Sequence, residues 1–236
     1  MNRLQLLATG LLVASAVTMQ GCNRQEVPIP APKAEAPPAE TIVKIGVASP
    51  LTGPQAHIGI DIKNGVQLAI EDANAAGLTI DGKKIKLEMV AEDDEANPTK
   101  AATVAQKLVD AKVVGVVGHF NSGASIPASK IYSDAGIPQI SPSSTNPKYT
   151  QQGFKTAFRV VANDDQQGPV DGKFALEKLK AKNIAVIDDA TAYGQGLADT
   201  FEATVKAGGA KVLAREHTTD KDTDFKAILT KIKGKK

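Results

Sequence analysis

From Thr41 onward, short apolar runs alternate with segments whose apolar residues recur every three or four positions. That alternation predicts strands and helices in turn. Val43, Ile45 and Val47 read as a first strand, and Ser49-Pro50-Leu51-Thr52-Gly53-Pro54 as the turn after it. A helix carrying Val66, Ala69 and Ile70 follows, with Gly77 as its stop. Lys86 to Val90 is a second strand that runs into the acidic cluster Glu92-Asp93-Asp94-Glu95. Asn97-Pro98 starts a helix, Asn as N-cap and Pro in the first turn. Ala101, Val104, Ala105, Leu108 and Val109 then form one continuous apolar stripe. Val113 to Val117 is wholly apolar, the signature of a strand covered on both faces. A helix around Ile126 to Ala135 and strands at Pro138 to Ser141 and Phe158 to Val161 complete the round.

The pattern then restarts. A helix runs through Phe174, Leu176 and Leu179, a strand through Ile184 to Ile187, and a helix through Leu197, Phe201 and Val205. Gly208-Gly209 ends that helix, Val212-Leu213 gives another strand, and Phe225, Ile228, Leu229 and Ile232 line a last helix. Alternation throughout predicts an α/β fold of parallel sheets with right-handed crossovers. The polar segment Asn163 to Gly168 is the expected crossing between a first lobe, 41–163, and a second, 164–236. Four or five strands fall in the first lobe and only two in the second. The second is therefore expected to be incomplete, with unpaired sheet edges, and the chain to be a fragment or truncated product.

The N-terminal zone is of a different kind. Met1-Asn2-Arg3, an apolar run from Leu4 to Met19, and Gly21-Cys22 have the layout of a signal peptide over 1–21. The Gly-Cys pair resembles the lipobox of bacterial lipoproteins, although Met19 and Gln20 depart from its usual residues. Cys22 is thus the expected site of lipidation and the new N-terminus. Residues 22–40, rich in Pro, Ala and Glu, read as an extended tether. Cys22 is the sole cysteine, so a disulfide framework and a CxxC metal site are both excluded. A formal charge of +2, 4% aromatics and no Trp argue against a nucleic-acid partner.

Ligands of open parallel sheets sit beyond the carboxyl ends of strands. Three such loops are rich in hydroxyls and Gly: 118–125, 140–147 and 189–196. Each sets backbone N–H groups and a hydroxyl at a helix N-terminus, a receptor for an anion without a formal counter-charge. The plainer reading makes Ser122, Ser143 and Thr145 helix caps. Enzyme readings fit less well. Gly194-Gln195-Gly196 lies in the context of a dinucleotide fingerprint, but Asp199 holds the third small position and would crowd the helix–sheet contact. Ser122 lies in Phe-Asn-Ser-Gly-Ala rather than a G-x-S-x-G elbow, and His119 reads as a strand-end residue rather than a base. The acids 92–95 are explained by the dipole of the following helix rather than by a metal.

Three stretches carry a resemblance: VASPLTGPQAHIGIDIKNGVQLAIEDANAAG, GHFNSGASIPASKIYSDAGIPQISPSSTNP and VIDDATAYGQGLADTF. They are similar, collinearly from about Thr41, to the leucine/isoleucine/valine-binding family of type I periplasmic binding proteins. The resemblance implies two Rossmann-like lobes that close on one amino acid and deliver it to the permease subunits of an ABC importer. No catalysis and no cofactor are implied. By position, Ser122 is expected to bind the ligand carboxylate, and Thr145 both carboxylate and ammonium. The Ser143 carbonyl is expected to accept from the ammonium, Phe120 and Asn121 to line the pocket, and Tyr193 to reach in from the second lobe. Ile58 stands where the family often has an aromatic, which leaves the side-chain pocket open. The family's acidic partner for the ammonium, a second-lobe aromatic and a returning first-lobe segment are expected beyond Lys236. A ligand-sensing receptor domain of the same fold is the alternative.

Overall fold

The computed structural model describes residues 40–219 and 221–235. The signal segment, Cys22 and nearly all of the tether lie outside them. The first sheet has six strands in the order β2-β3-β1-β4-β5-β6. They are β1 (Thr41–Ser49), β2 (Thr79–Ile80), β3 (Lys83–Asp93), β4 (Gly115–Gly118), β5 (Gln139–Ser141) and β6 (Ala157–Arg159). Helices α1 (Ala56–Ala75), α2 (Pro98–Asp110), α3 (Ser122–Asp134) and the short α4 (Lys148–Gln151) connect them. Beyond β6 come α5 (Asp164–Glu177), β7 (Asn183–Asp188), α6 (Ala192–Ala207), β8 (Lys211–His217) and α7 (Lys226–Lys233). β7 and β8 form a separate parallel pair, with a register shift between Ile184 and Ala185.

The core of the first sheet is the one the α2 stripe predicts. Ala48, Val104, Ala105, Leu108, Val113, Val116, Ala128, Tyr132 and Ile137 form a single buried cluster. Burying a side chain such as Leu108 contributes about 1.5–3 kcal/mol. The start of α2 is also as expected, with Asn97 Oδ1 accepting from Thr99 N at 2.9 Å and Lys100 N at 3.1 Å. At the far end of α1, the Asn74 amide pairs with both backbone groups of Leu87, at 2.8 and 2.9 Å, and so docks the helix on β3.

Several expectations are corrected. The sheet is not parallel throughout: β2 pairs antiparallel with β3. The turn between them is Asp81-Gly82, with φ of +50° and +75°, a two-residue hairpin geometry that this dipeptide favours. β4 starts two residues later than the apolar run, because Val113 and Val114 serve as its approach and Val114 is half exposed. Helix α3 starts at Ser122 rather than Ile126, and α5 starts at Asp164 rather than near Phe174. The crossing between sheets is accordingly 160–163, and Gly168 is inside α5.

The reason α5 was misread is physical. Its buried residues are Asp164, Gly168, Gly172 and Ala175, while Phe174 and Leu179 face solvent. The helix packs by close backbone approach against α6. A Cβ at Gly168 would lie 2.0 Å from Thr200 Oγ1 and 2.8 Å from the Phe201 nitrogen, and one at Gly172 would lie 2.8 Å from Thr204 Cβ. Overpacking of this kind costs about 1–3 kcal/mol. Gly168→Ala is therefore expected to lower unfolding stability by roughly that amount, despite the better helix propensity of Ala. Urea denaturation checks it, and stability equal to the parent's would refute the packing assigned to this face.

Candidate functional site

The acidic cluster at the end of β3 lies outside the first turn of α2; Glu92 and Glu95 pair with Lys107 and Lys100 of that helix, while Asp93 ties loops together. Asp93 accepts from Leu51 N (2.8 Å), Thr52 Oγ1 (2.5 Å) and Glu95 N (2.9 Å), fixing the turn after β1. Burial works against its ionisation, but these bonds outweigh it and hold its pKa below the ordinary carboxylate range. Asp94 and His119 are fully buried, with His119 Nδ1 2.6 Å from Asp94 Oδ2 and Nε2 3.3 Å from the Tyr132 hydroxyl. Burial, with Asp94 beside it, pushes the Tyr132 pKa far up, so the phenol stays neutral. His119 is thus a strand-end residue in a closed structural network, as its position suggested.

His119 also fixes the next two loops through its carbonyl, which accepts from Ser141 Oγ (2.8 Å) and Ser125 Oγ (3.2 Å). Ser143 Oγ donates to the Phe120 carbonyl at 2.7 Å, and Ser144 Oγ reaches the same oxygen at 3.2 Å. From the other side, Arg159 on β6 donates to the carbonyls of Ser144 (2.7 Å) and Asn146 (3.1 Å) and to Thr150 Oγ1 (2.6 Å). The loop after β5 is therefore clamped between β4 and β6.

This framework brings Ser122, Ser143, Thr145, Phe120 and Asn121 together on two adjacent loops. Neither of these loops uses its hydroxyls as helix caps. Asn121 precedes α3 without a side-chain cap, so the first N–H groups of α3 are left for other partners. Ser122 lies inside the first turn, buried, and its Oγ accepts from Asn146 N at 3.3 Å. With that acceptor position used, its hydroxyl hydrogen is free to donate. In the third loop the cap reading holds: Thr191 Oγ1 accepts from Gly194 N at 3.0 Å. Ile58 lies in the first turn of α1, next to Gln55, whose side chain accepts from Asn121 Nδ2 at 2.9 Å.

The second sheet meets these loops through the start of α6. Asn146 Nδ2 donates to the Ala192 carbonyl at 2.6 Å. A Cβ at Gly196 would lie 2.4 Å from Asn146 Nδ2 and 3.4 Å from Asp164 Oδ2, so helix, amide and acid converge on one spot. This also closes the dinucleotide reading on different grounds. Asp199 is exposed and reaches from α6 to Arg215 on β8 at 3.1 Å without crowding the helix against the sheet, whereas Gly196 faces an acid.

Asp164 is the residue that sequence reasoning missed. It is the first residue of α5, fully buried, and neither carboxyl oxygen has a hydrogen-bond partner among the described residues. Thr145 Oγ1 and Asn121 Oδ1 are buried and unpartnered in the same way. The Asp164 N–H donates to the Thr145 carbonyl at 3.0 Å, which fixes the acid beside that threonine. Burial raises the Asp164 pKa, and the nearby Thr145 hydroxyl and Arg159 charge, neither in hydrogen-bond geometry with it, only partly offset it. Tyr193 is partly exposed, and burial together with the nearby Asp164 raises its pKa. The sequence signal available was an acid placed where the chain leaves one lobe for the other. A separate groove of about 530 Å3 lies over β7 and α6, lined by Val186, Ile187, Leu197 and Phe201. Three acids also line it, Asp171, Asp188 and Asp189, of which Asp188 is engaged by Arg215 (2.8 Å) and His217 (2.9 Å).

Two α/β sheets with facing loops across one crossing define a type I periplasmic binding protein fold. A family profile described as periplasmic binding protein matches residues 42–236, and the chain belongs to that family. It is 48% identical, over 192 residues, to an amino acid binding protein of Pseudomonas aeruginosa, covering 81% of this chain and 50% of that one. It is 42% identical to Leu/Ile/Val-binding protein homolog 1 of Brucella abortus, covering 81% and 51%. The crystal structure of the branched-chain amino acid transporter substrate binding protein LivJ from Streptococcus pneumoniae, in complex with isoleucine, superposes with a TM-score of 0.71 at 37% identity. That match covers 83% of this chain and 55% of LivJ. The chain thus spans about half the length of the relatives it matches.

The buried pair at the centre of the first lobe sets one expectation. Removing one partner of a buried hydrogen bond, so that the other is left unsatisfied, costs about 1–3 kcal/mol. His119→Ala should lower stability by that order while leaving the residue-119 carbonyl, and so the serine contacts, in place. Chemical denaturation measures it, and a loss under 1 kcal/mol would show that Asp94 does not depend on the imidazole.

Proposed function

We propose that the cleft binds one branched-chain or related apolar amino acid, with the lobes closing over it, and passes it to the permease subunits of an ABC importer. No reaction is catalysed and no cofactor is used. The work is done outside the cytoplasm, with the protein tethered to the membrane through lipid on Cys22. The observation that carries the reading is the polarity of the pocket. One end offers the N–H groups at the start of α3 and the Ser122 hydroxyl, a receptor for a carboxylate. The other offers the buried, unpartnered Asp164 beside Thr145, a receptor for an ammonium group. A zwitterion with an apolar side chain satisfies both ends, and the names of the relatives point the same way. In this reading Thr145 bridges the two charged groups of the ligand. The Ser143 carbonyl accepts from the ammonium, Phe120, Asn121 and Ile58 border the side chain, and Tyr193 covers it from the second lobe.

Calorimetry with L-leucine, with its deaminated acid and with its decarboxylated amine tests both ends separately. Leucine should bind, and each half-ligand should bind far more weakly. Ser122→Ala or Thr145→Val should each weaken leucine binding roughly ten- to a hundredfold, because a hydrogen bond to a charged group contributes about 1.5–3 kcal/mol. Affinity within twofold of the parent for both variants would misplace the pocket.

Asp164 adds a pH dependence of defined sign. Its pKa in the free protein is raised, whereas a bound ammonium favours the carboxylate. Leucine affinity should therefore be flat above the raised pKa and fall as pH drops through it, with one proton released per ligand bound below that point. Asp164→Asn should abolish this dependence along with most of the affinity. Because the acid is held partly against its ionisation, the same variant should leave the ligand-free protein as stable as the parent, or more so, at neutral pH. Calorimetry in buffers of different ionisation enthalpy reads the proton, and a parent profile flat from pH 4 to pH 8 would sink the assignment. Intact mass and detergent partitioning test the anchor: Cys22→Ser should remove both the added lipid mass and the detergent-phase fraction.

A further inference from the structure

One polar contact joins the two lobes without passing through the pocket floor, and it involves a residue that none of the ligand assignments uses. Asn146, in the clamped loop after β5, donates from Nδ2 to the Ala192 carbonyl in the first turn of α6 at 2.6 Å. The orientation of its amide is fixed, because Oδ1 accepts from Lys148 N at 2.9 Å and only the NH2 group is left to face a carbonyl. Its backbone is pinned as well: the N–H is bound to Ser122 Oγ (3.3 Å) and the carbonyl to Arg159 Nη2 (3.1 Å). The amide is thus a rigid arm, mounted on the first lobe and engaging the second.

A second observation shows that the second lobe is shaped for that arm. Gly196 stands one turn beyond Ala192 in the interior of α6, where Gly is less favourable than Ala by about 0.8–1 kcal/mol. Any side chain there would strike Asn146 Nδ2 at 2.4 Å. The helix forgoes a Cβ at the one point where the arm arrives.

We propose that Asn146 is an affinity-determining residue that acts as a latch between the lobes: it stabilises the closed arrangement directly and need not touch the ligand. The proposal rests on the reading of the cleft as an amino-acid site that closes on its ligand, and it deepens that reading. A ligand that binds only the closed form has an apparent dissociation constant equal to its intrinsic value divided by the fraction of molecules that are closed. A neutral hydrogen bond of this kind shifts an equilibrium roughly two- to tenfold. Loss of the latch should therefore weaken every ligand of the site by one common factor of that size. It should do so chiefly through faster release, since the ligand's own contacts are intact. A residue that touched the ligand would instead change the ranking among ligands.

The test is made on the full chain carrying Cys22→Ser, with spin labels at Lys130→Cys on α3 and Lys206→Cys on α6. Both positions are exposed and lie on opposite lobes. Double electron–electron resonance without ligand reads the inter-lobe distance. Asn146→Ala should move the distribution toward longer distances, with the short-to-long ratio falling two- to tenfold. Asn146→Ser, whose hydroxyl can still accept from Lys148 N but cannot reach Ala192, should shift it equally while melting within about 2 °C of the parent. Gly196→Ala should shift it at least as far. Release of leucine, isoleucine and valine should accelerate by a common factor in Asn146→Ser. Ligand-free distributions of Asn146→Ser and Gly196→Ala that superimpose on the parent's would overturn the latch. A chain that shows the distance shift but binds none of the three amino acids would keep the latch and discard the amino-acid reading, so the two failures are separable.

Discussion

A buried imidazole and carboxylate, His119 and Asp94, underlie the geometry of the first lobe's rim. Neither group is exposed, and each is held in place by the other and by a backbone or phenolic partner. Their contact lies where the chain leaves β4, beside the His119 carbonyl that Ser125 and Ser141 hold. Serines from α3, from β5 and from the loop after β5 gather on that carbonyl and on the next one. The rim is thus a set of loops whose hydrogen bonds go to one another rather than to water. Such a set keeps its shape because every member would lose a buried partner by moving.

The pocket built on this rim has two unlike ends. At the α3 end the charge is partial, spread over N–H groups and a hydroxyl, and costs little to desolvate. At the α5 end it is a whole carboxyl, buried without a hydrogen-bond partner and therefore biased toward its neutral form. In the proposed reading, an incoming ammonium would change that bias by supplying the missing partner. Recognition and ionisation are coupled here, and the coupling is strongest where the cleft is most closed, because a lower local dielectric strengthens the pair.

The parts of this architecture that burial encodes as a pattern were legible in the sequence. The α2 stripe, the Asn97-Pro98 start and the restart of the strand–helix rhythm are visible because apolar side chains repeat with the period of the element they build. The hydroxyl-rich loops were legible as candidate anion receptors, and Ser122 could be singled out. Other features left no such trace. Helix α5 buries glycines against a neighbouring backbone, so its hydrophobic pattern points to the wrong face and the wrong start. The antiparallel β2 was signalled only by the dipeptide Asp81-Gly82, set in a strand too short to have a period. Asp164 stood within the polar crossing segment Asn163 to Gly168, with nothing in the pattern to set it apart. Its surroundings include Thr145 and the start of α6, both distant in sequence. Asn146 is legible only once Ala192 is placed opposite it.

The glycine contact between α5 and α6 has a mechanical consequence. Side chains between helices act as compliant padding, since rotamers can shift when one helix moves. Between α5 and α6 that padding is thin at two points, where Gly168 and Gly172 bring the α5 backbone onto Thr200, Phe201 and Thr204. The two helices therefore move as one stiff strut. Since α5 begins at the crossing itself, a small rotation about 160–163 reaches the first turn of α6 almost undamped. If the lobes close as proposed, the gearing between hinge and cleft would be set at this point by the short threonines and the helical backbone they touch, which have little freedom to repack.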